Sequence, residues 1–415
     1  MYPFKEPKAI ELTPRSSIGD SISTPEFEPY GTLREDEIRL VEIFPANSDR
    51  EDVVCSLTPV SRDHTPPYRA LSYCWGPPEQ RNKGSIILLE VVNAGDRAMK
   101  RRKIELPVTL TLEAALRRLR HNDGHTSRLI WVDTICINQN NDKDKGRQVQ
   151  SMRLIYQKAE EVSIWLGVYD EKSLLAWDLI QAVEGCHGDI EAVKRLIEFS
   201  REKQFAALLA LFRRDYFWRI WVVQEITCAK KAQIYCGSKE MPWQNFQNIS
   251  RTMQKVHDKL RDTIYHNEPA ALFSLMHGGP MNLKVARQNP EEEFNQRTAP
   301  PLLDLLMLHR SKMSTDPQDK VYGLMGIASD SSSFGPIDYE RSPRTTFIHI
   351  ARRIISNTKK LNIICLNQND DNLYLLPSWV PDWERRKLYP THRVVGLHIR
   401  EPPFRARLHN LSFHL

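Results

Sequence analysis

Residues 127–139 read SRLIWVDTICINQ. Four consecutive apolar residues, Leu129 to Val132, end on an acid, Asp133, and two amides follow at Asn138 and Gln139. A short run that is apolar on every position, not on alternate ones, is the pattern of a strand buried on both faces, as in a parallel sheet. Its neighbours support that reading. YRALSYCWG (68–76) and EVSIWLG (161–167) are runs of the same kind, each closed by glycine, and AQIYCG (232–237) ends the series. Helical spacing lies between them. Leu112, Ala115, Leu116 and Leu119 recur at i, i+3, i+4 and i+7, and Val149, Met152, Tyr156 and Ala159 do so again over 146–160. Further helices are expected at 173–185, 190–201 and 203–229. Strand and helix in alternation predict an α/β fold with a parallel sheet flanked by helices. Ligands of such sheets sit at the carboxyl ends of the strands, which here are SYCWG, VDTICINQ and WLG.

Working outward, EIRLVEIFP (37–45) and GSIILLEVV (84–92) read as two more strands. Past residue 240 the pattern is mainly helical, PPLLDLLMLHRSKM being the clearest example; TDPQDKVYGLMGIA follows, and 343–357 reads as a helix. A strand is expected at 361–366 before the Trp-rich LPSWVPDWE, and 278–300 reads as a polar loop. The organisation expected is a mobile acidic N-terminal segment over 1–35, an α/β domain over 36–240, and a companion region over 241–415.

The 415 residues are 41% hydrophobic and 27% charged, a folded and not a disordered composition. Seven cysteines without a C-x-x-C pair argue against a disulfide framework or a zinc site and favour a reducing, cytoplasmic setting. No apolar run reaches the ~20 residues of a membrane span. Net charge is +6, too little to imply nucleic acid. The dense basic run Lys100–Lys103 reads as a solvated loop before a helix, with a nuclear-import signal or an anion patch as its alternative. Neither a phosphate-binding G-x-x-x-x-G-K-[ST] nor a G-x-G-x-x-G follows any strand. Ser72 has no hydrolase elbow around it, and Cys74 and Cys136 are flanked by apolar residues, as buried thiols are.

YRALSYCWG, LIWVDTICINQ, QVQSMRLIYQKAEEVSIWLG and RIWVVQEI stand in the order of the fungal heterokaryon-incompatibility (HET) domain, and the chain resembles that family. TDPQDKVYGLMGIA and LPSWVPDW resemble the segment that usually follows it. The resemblance implies non-self recognition and programmed cell death in filamentous fungi. The chain departs from the family pattern at the helix before LIWVD and around Asp144. The same strand-end motifs are distantly similar to TIR domains. That likeness implies a TIR-like (flavodoxin-like) sheet, NAD as a substrate and no further cofactor, and it makes Glu225, four residues after Trp221, the candidate catalytic acid. Cleavage of the nicotinamide–ribose bond passes through an oxocarbenium-like state that a carboxylate stabilises. Ser72, Trp75, Asp133, Asn138, Gln139 and Trp221 are the candidate substrate-binding residues. Each has a plainer alternative: Glu225 pairing with Arg219, Asp133 capping a turn, the tryptophans packing in the core. The competing function is a death-signalling module without catalysis, working by self-association or by docking other incompatibility proteins. Both readings stay open on the sequence.

Overall fold

The computed structural model describes residues 30–76, 82–93, 99–168, 170–198, 202–261, 279–283, 295–366 and 374–384. The acidic N-terminal segment expected over 1–35 lies outside these up to residue 29, as do residues 284–294 of the polar stretch.

In chain order the strands are β1 (Glu37–Ile43), β2 (Val54–Ser61), β3 (Arg69–Tyr73), β4 (Gly84–Asn93) and β5 (Met99–Val108), then β6 (Arg128–Trp131), β7 (Glu161–Trp165), β8 (Ala232–Cys236) and β9 (Lys239–Pro242). The helices that bear on the site are α1 (Leu110–Leu119), the single turn α2 (Asp133–Cys136), α3 (Asp142–Lys158), α4 (Glu171–Gly185), α5 (Ile190–Glu198), α6 (Glu202–Phe212) and α7 (Trp221–Cys228). Then come α8 (Trp243–Arg261), α9 (Leu302–Leu308), α10 (Asp319–Met325) and α11 (Pro343–Thr358). Among the described residues one nine-stranded sheet runs in the order β5-β4-β2-β1-β6-β3-β7-β8-β9.

The sheet is mixed, which corrects the expectation of a parallel one. The strands that carried that expectation, β6-β3-β7-β8, are mutually parallel. Antiparallel pairs extend them on both sides: β1 against β6 and β2, β4 against β5, and β8 against β9. Burial explains the difference. All five residues of β7 are buried, and so are the last four of β3, because helices cover both faces there. β2, which reads as no clear pattern in sequence, is half exposed.

Three further expectations are corrected. Lys100–Lys103 lie in β5, not in a loop, paired with β4 through Glu90↔Arg102, where a 2.8 Å salt bridge forms; charge on an edge strand discourages further pairing. The single helix expected over 203–229 breaks between α6 and α7. Arg214 is extended there, and its guanidinium reaches the Leu166 carbonyl and the Ser173 hydroxyl (2.7 Å). The freed backbone pairs instead with Met313, Met313 N–H donating to Trp218 O at 2.6 Å and Ile220 N–H to Met313 O at 2.9 Å. Residues 361–366 are not a strand: Asn362–Leu366 is a 3-10 turn that buries Ile363 and Leu366, three apart, on one side.

Helix α3 starts four residues before the apolar periodicity does, because Asn141 caps it by accepting from the N–H groups of Lys143 and Asp144. That start buries Asp144. Its Oδ2 accepts from Arg39 Nη1 at 2.9 Å and from Asn138 N–H at 3.1 Å, while Arg39 also donates to the carbonyls of Cys136 and Gly31. With 4% and 6% of their surfaces exposed, the two charges are neutralised chiefly by each other and by these hydrogen bonds, with Arg147 3.9 Å from Asp144 Oδ1 and the Tyr30 ring under the Arg39 guanidinium as weaker contributions. Removing one partner of a buried pair costs ~3–5 kcal/mol, whereas apolar replacement of both is close to neutral. Asp144→Ala is therefore expected to lower unfolding free energy by about 3 kcal/mol or more in urea titrations. Arg39→Met with Asp144→Leu should recover most of that loss. A cost under ~1 kcal/mol for the single variant would show that the pair is not what closes this corner.

Candidate functional site

The polar groups gather at the carboxyl ends of the parallel strands. Ser72 is the fourth residue of β3, buried, with its hydroxyl between two partners. It donates to Glu225 Oε2 and lies 2.8 Å from the Tyr216 hydroxyl. Glu225 comes from the middle of α7, a helix whose residues from Val222 to Cys228 are all buried. So the acid expected from the sequence does lie against the expected serine, with 2% of its surface exposed.

A carboxylate there is out of water. Burial pushes the Glu225 carboxyl up to about 7, against the opposing pull of the Arg219 guanidinium and the Ser72 hydrogen bond. Arg219 donates to the Tyr73 carbonyl at the end of β3. Burial alone would pull Arg219 down, but the charges of Glu225 and Asp133 outweigh it and raise it. The alternative pairing of Glu225 with Arg219 thus exists as an electrostatic relation, alongside the bond to Ser72.

Asp133 opens the turn α2 directly after β6. Its Oδ1 accepts from the N–H (2.8 Å) and hydroxyl (3.0 Å) of Thr134, and the Trp75 indole N–H reaches Oδ2 at 3.1 Å. Burial raises the Asp133 carboxyl, and Arg219 opposes that rise. The side chain of Gln139 donates to the Asp133 backbone carbonyl at 3.0 Å, and the Asn138 amide oxygen accepts from Asn140 N–H at 3.1 Å. Both amides therefore brace the loop after α2. Trp221 turns elsewhere: its indole N–H donates to Asp319 Oδ2 at 3.0 Å. Trp131 and Trp165 are core aromatics, as read, and both are buried.

Sequence reasoning missed two members. Tyr216 lies in a 3-10 turn, Asp215–Trp218, that no periodicity announces. Its hydroxyl, and that of Tyr156 from α3, which donates to Leu71 O at 3.2 Å, are both raised by burial and then by the Glu225 charge. Arg219 was visible only as a rival partner for Glu225. A cleft of about 250 Å³ lies between α3 and residues 336–340, lined by Lys143, Gly146, Arg147, Gln150 and Ile337 among others, and none of the strand-end residues borders it. Among the described residues no group of three His, Cys, Asp or Glu could hold a metal ion, and no helix is long and apolar enough to cross a membrane.

Chemically, the arrangement offers one carboxyl that exchanges its proton near neutrality, a hydroxyl on it, a guanidinium beside it and a second carboxyl held by an indole. Its pH signature follows from the sign of the shift. Glu225 binds its proton more tightly folded, near 7, than unfolded, near 4.5. Its contribution is therefore level below the unfolded value, falls as pH rises between the two, and stays low above about 7. Glu225→Gln removes the titration, so the stability of the variant relative to the parent should rise by about 1–3 kcal/mol from pH 5 to pH 8. Paired denaturation curves at the two pH values measure this, and a pH-independent difference would contradict it.

Residues 68–225 match the model of the family described as Heterokaryon incompatibility protein (HET). Among curated proteins the chain is similar to "Heterokaryon incompatibility protein 6, OR allele" of Neurospora crassa, 29% identical over 401 residues, covering 84% of this chain. The chain spans 58% of the length of that relative. No solved structure matches. The matched span begins at Tyr68, just before β3, and ends at Glu225, so the part of the chain that is similar to the HET family encloses Ser72, Trp75, Asp133, Asn138, Gln139 and Trp221.

Proposed function

We propose that this chain acts in fungal heterokaryon incompatibility and that its effector chemistry is hydrolysis of the nicotinamide–ribose bond of NAD, with Glu225 as the catalytic acid group. The observation that carries the reading is the carboxyl of Glu225 pushed up to about 7 at the carboxyl end of the central parallel strand. Perturbed carboxyls in such positions are functional-site candidates. In the reaction, the bond from ribose C1′ to the nicotinamide nitrogen breaks and its electron pair leaves with nicotinamide. The Glu225 carboxylate faces the cationic ribose, water adds at C1′, and its proton passes to the carboxylate. Products are nicotinamide and ADP-ribose. Asp133 and Ser72 are the groups at hand for the ribose hydroxyls, and the Trp75 indole is the flat surface nearest Asp133. The charge of Arg219 favours the ionised form of Glu225 and opposes, without cancelling, the effect of burial.

A second reading, a docking module that signals without catalysis, is favoured by one specific observation: Glu225 has 2% of its surface exposed. On the enzyme reading, α7 must move away from β3 before a dinucleotide reaches the acid, and self-association or a partner supplies that movement.

The test is NAD consumption by the purified full chain at high protein concentration, beside Glu225→Gln. The enzyme reading expects a fall of about 100-fold or more in the variant. It also expects kcat/KM in the parent to rise with pH through about 7, since the ionised form is the active one. Equal and negligible turnover by both folded proteins would leave the docking module.

A further inference from the structure

The segment TDPQDKVYGLMGIA (315–328) lies about ninety residues beyond the HET match and carries no role in the chemistry above. Yet all seven residues of α10, Asp319 to Met325, are buried, an aspartate and a lysine among them. Charged residues are almost never fully buried unless they are partnered. Lys320 donates to the Arg310 carbonyl at 2.9 Å and to the Lys312 carbonyl, which holds the preceding turn. Asp319 points the other way. One carboxylate oxygen accepts from the Trp221 indole at 3.0 Å, the other from the Tyr339 hydroxyl at 2.6 Å. Lys145 of α3 sits 3.7 Å from the Tyr339 ring centre and 3.5 Å from Asp316, so one cluster ties α3, α7 and α10 together.

Helix α7 meets α10 at unusually close range. A Cβ on Gly323 would lie 3.3 Å from Ile220, and one on Gly326 would lie 2.4 Å from the Gln224 amide oxygen. Just before α7 the chain is gripped by the same segment. Arg219 and Met313 form a parallel bridge, and Lys312 Nζ donates to Phe217 O at 2.6 Å. The grip has a cost, for Gln224 is buried with neither amide atom hydrogen-bonded among the described residues. A contact that strands a buried amide persists only because other bonds outweigh the loss.

We infer that Asp319 is a positioning residue: by fixing the Trp221 indole at the start of α7 it sets where Glu225 stands against Ser72, and the site is complete only with residues 313–339. Trp221 is then not a stacking surface but the handle by which the downstream segment holds the helix. The catalytic consequence rests on the NAD reading above; the placement of α7 does not.

Amide hydrogen exchange of residues 221–228 in the full chain tests this, with parent, Asp319→Ala and Asp319→Asn compared. Loss of hydrogen bonds to a charged group should speed exchange in α7 about tenfold or more in Asp319→Ala, with the β7 amides unchanged. Asp319→Asn keeps one carbonyl oxygen for the indole and should restore most of the protection. Turnover of NAD, measured alongside, should fall in kcat with little change in KM for Asp319→Ala. Should that variant fail to fold, Trp221→Phe removes the indole donor, keeps an aromatic ring, and should loosen α7 in the same way. Faster α7 exchange in Asp319→Ala, where the parent itself consumes no NAD, keeps the positioning role and removes the NAD reading. Unchanged α7 exchange in folded Asp319→Ala or Trp221→Phe overturns the positioning role, whatever the turnover.

Discussion

A carboxyl group shut inside a protein must be met by donors, met by a countercharge, or kept protonated, and Glu225 is held by some of each. Ser72 brings a donor from β3, Arg219 brings a charge, and burial pushes the acid toward its neutral form. None of these comes from α7 itself. A rotation of the helix that took Glu225 off Ser72 would therefore break that hydrogen bond and leave a buried carboxyl without its donor.

The rest of the structure follows from that seating. Arg219 is anchored on the Tyr73 carbonyl and by backbone pairing with Met313, so both the end of β3 and a segment nearly a hundred residues downstream determine where the countercharge stands. Trp221 is bound by Asp319, and Gly323 and Gly326 let α10 come close. On the opposite side, the Arg39–Asp144 pair fixes the first turn of α3 and the loop that follows α2. The loop carrying Asp133, Asn138 and Gln139 is braced by the Asn138 N–H bond to Asp144 and by the Gln139 side-chain bond to the Asp133 carbonyl.

Much of this was legible in the chain. Short, mainly apolar runs without regular alternation mark β3, β6, β7 and β8, because strands covered on both faces have no polar side to show. The Leu112–Leu119 stripe marks α1 for the converse reason, and all four of its expected core residues are buried. β2 and β9 left no such mark: β2 is half exposed and β9 is four residues long. The break between α6 and α7 was not evident because no glycine or proline interrupts 203–229, and what stops the helix is a set of bonds to Leu166, Ser173 and Met313. The turn at Asn362–Leu366 is likewise a tertiary choice, since Ile363 and Leu366 both find buried places and their short run is compatible with a strand.

The sequence by itself determined the parallel core, the strand ends as the place where polar residues gather, and the HET-domain motifs, because hydrophobic periodicity and motif order are local properties of the chain. Only the tertiary structure decided which of those residues touch. Ser72 and Glu225 stand 153 positions apart and meet. Trp221 and Glu225, four apart on one helix, part company, because Asp319 claims the indole and Ser72 the acid. Spacing along a chain says which side chains share a face. Which partner each one takes depends on what the fold packs against that face, and here that came from β3 on one side and from α10 on the other.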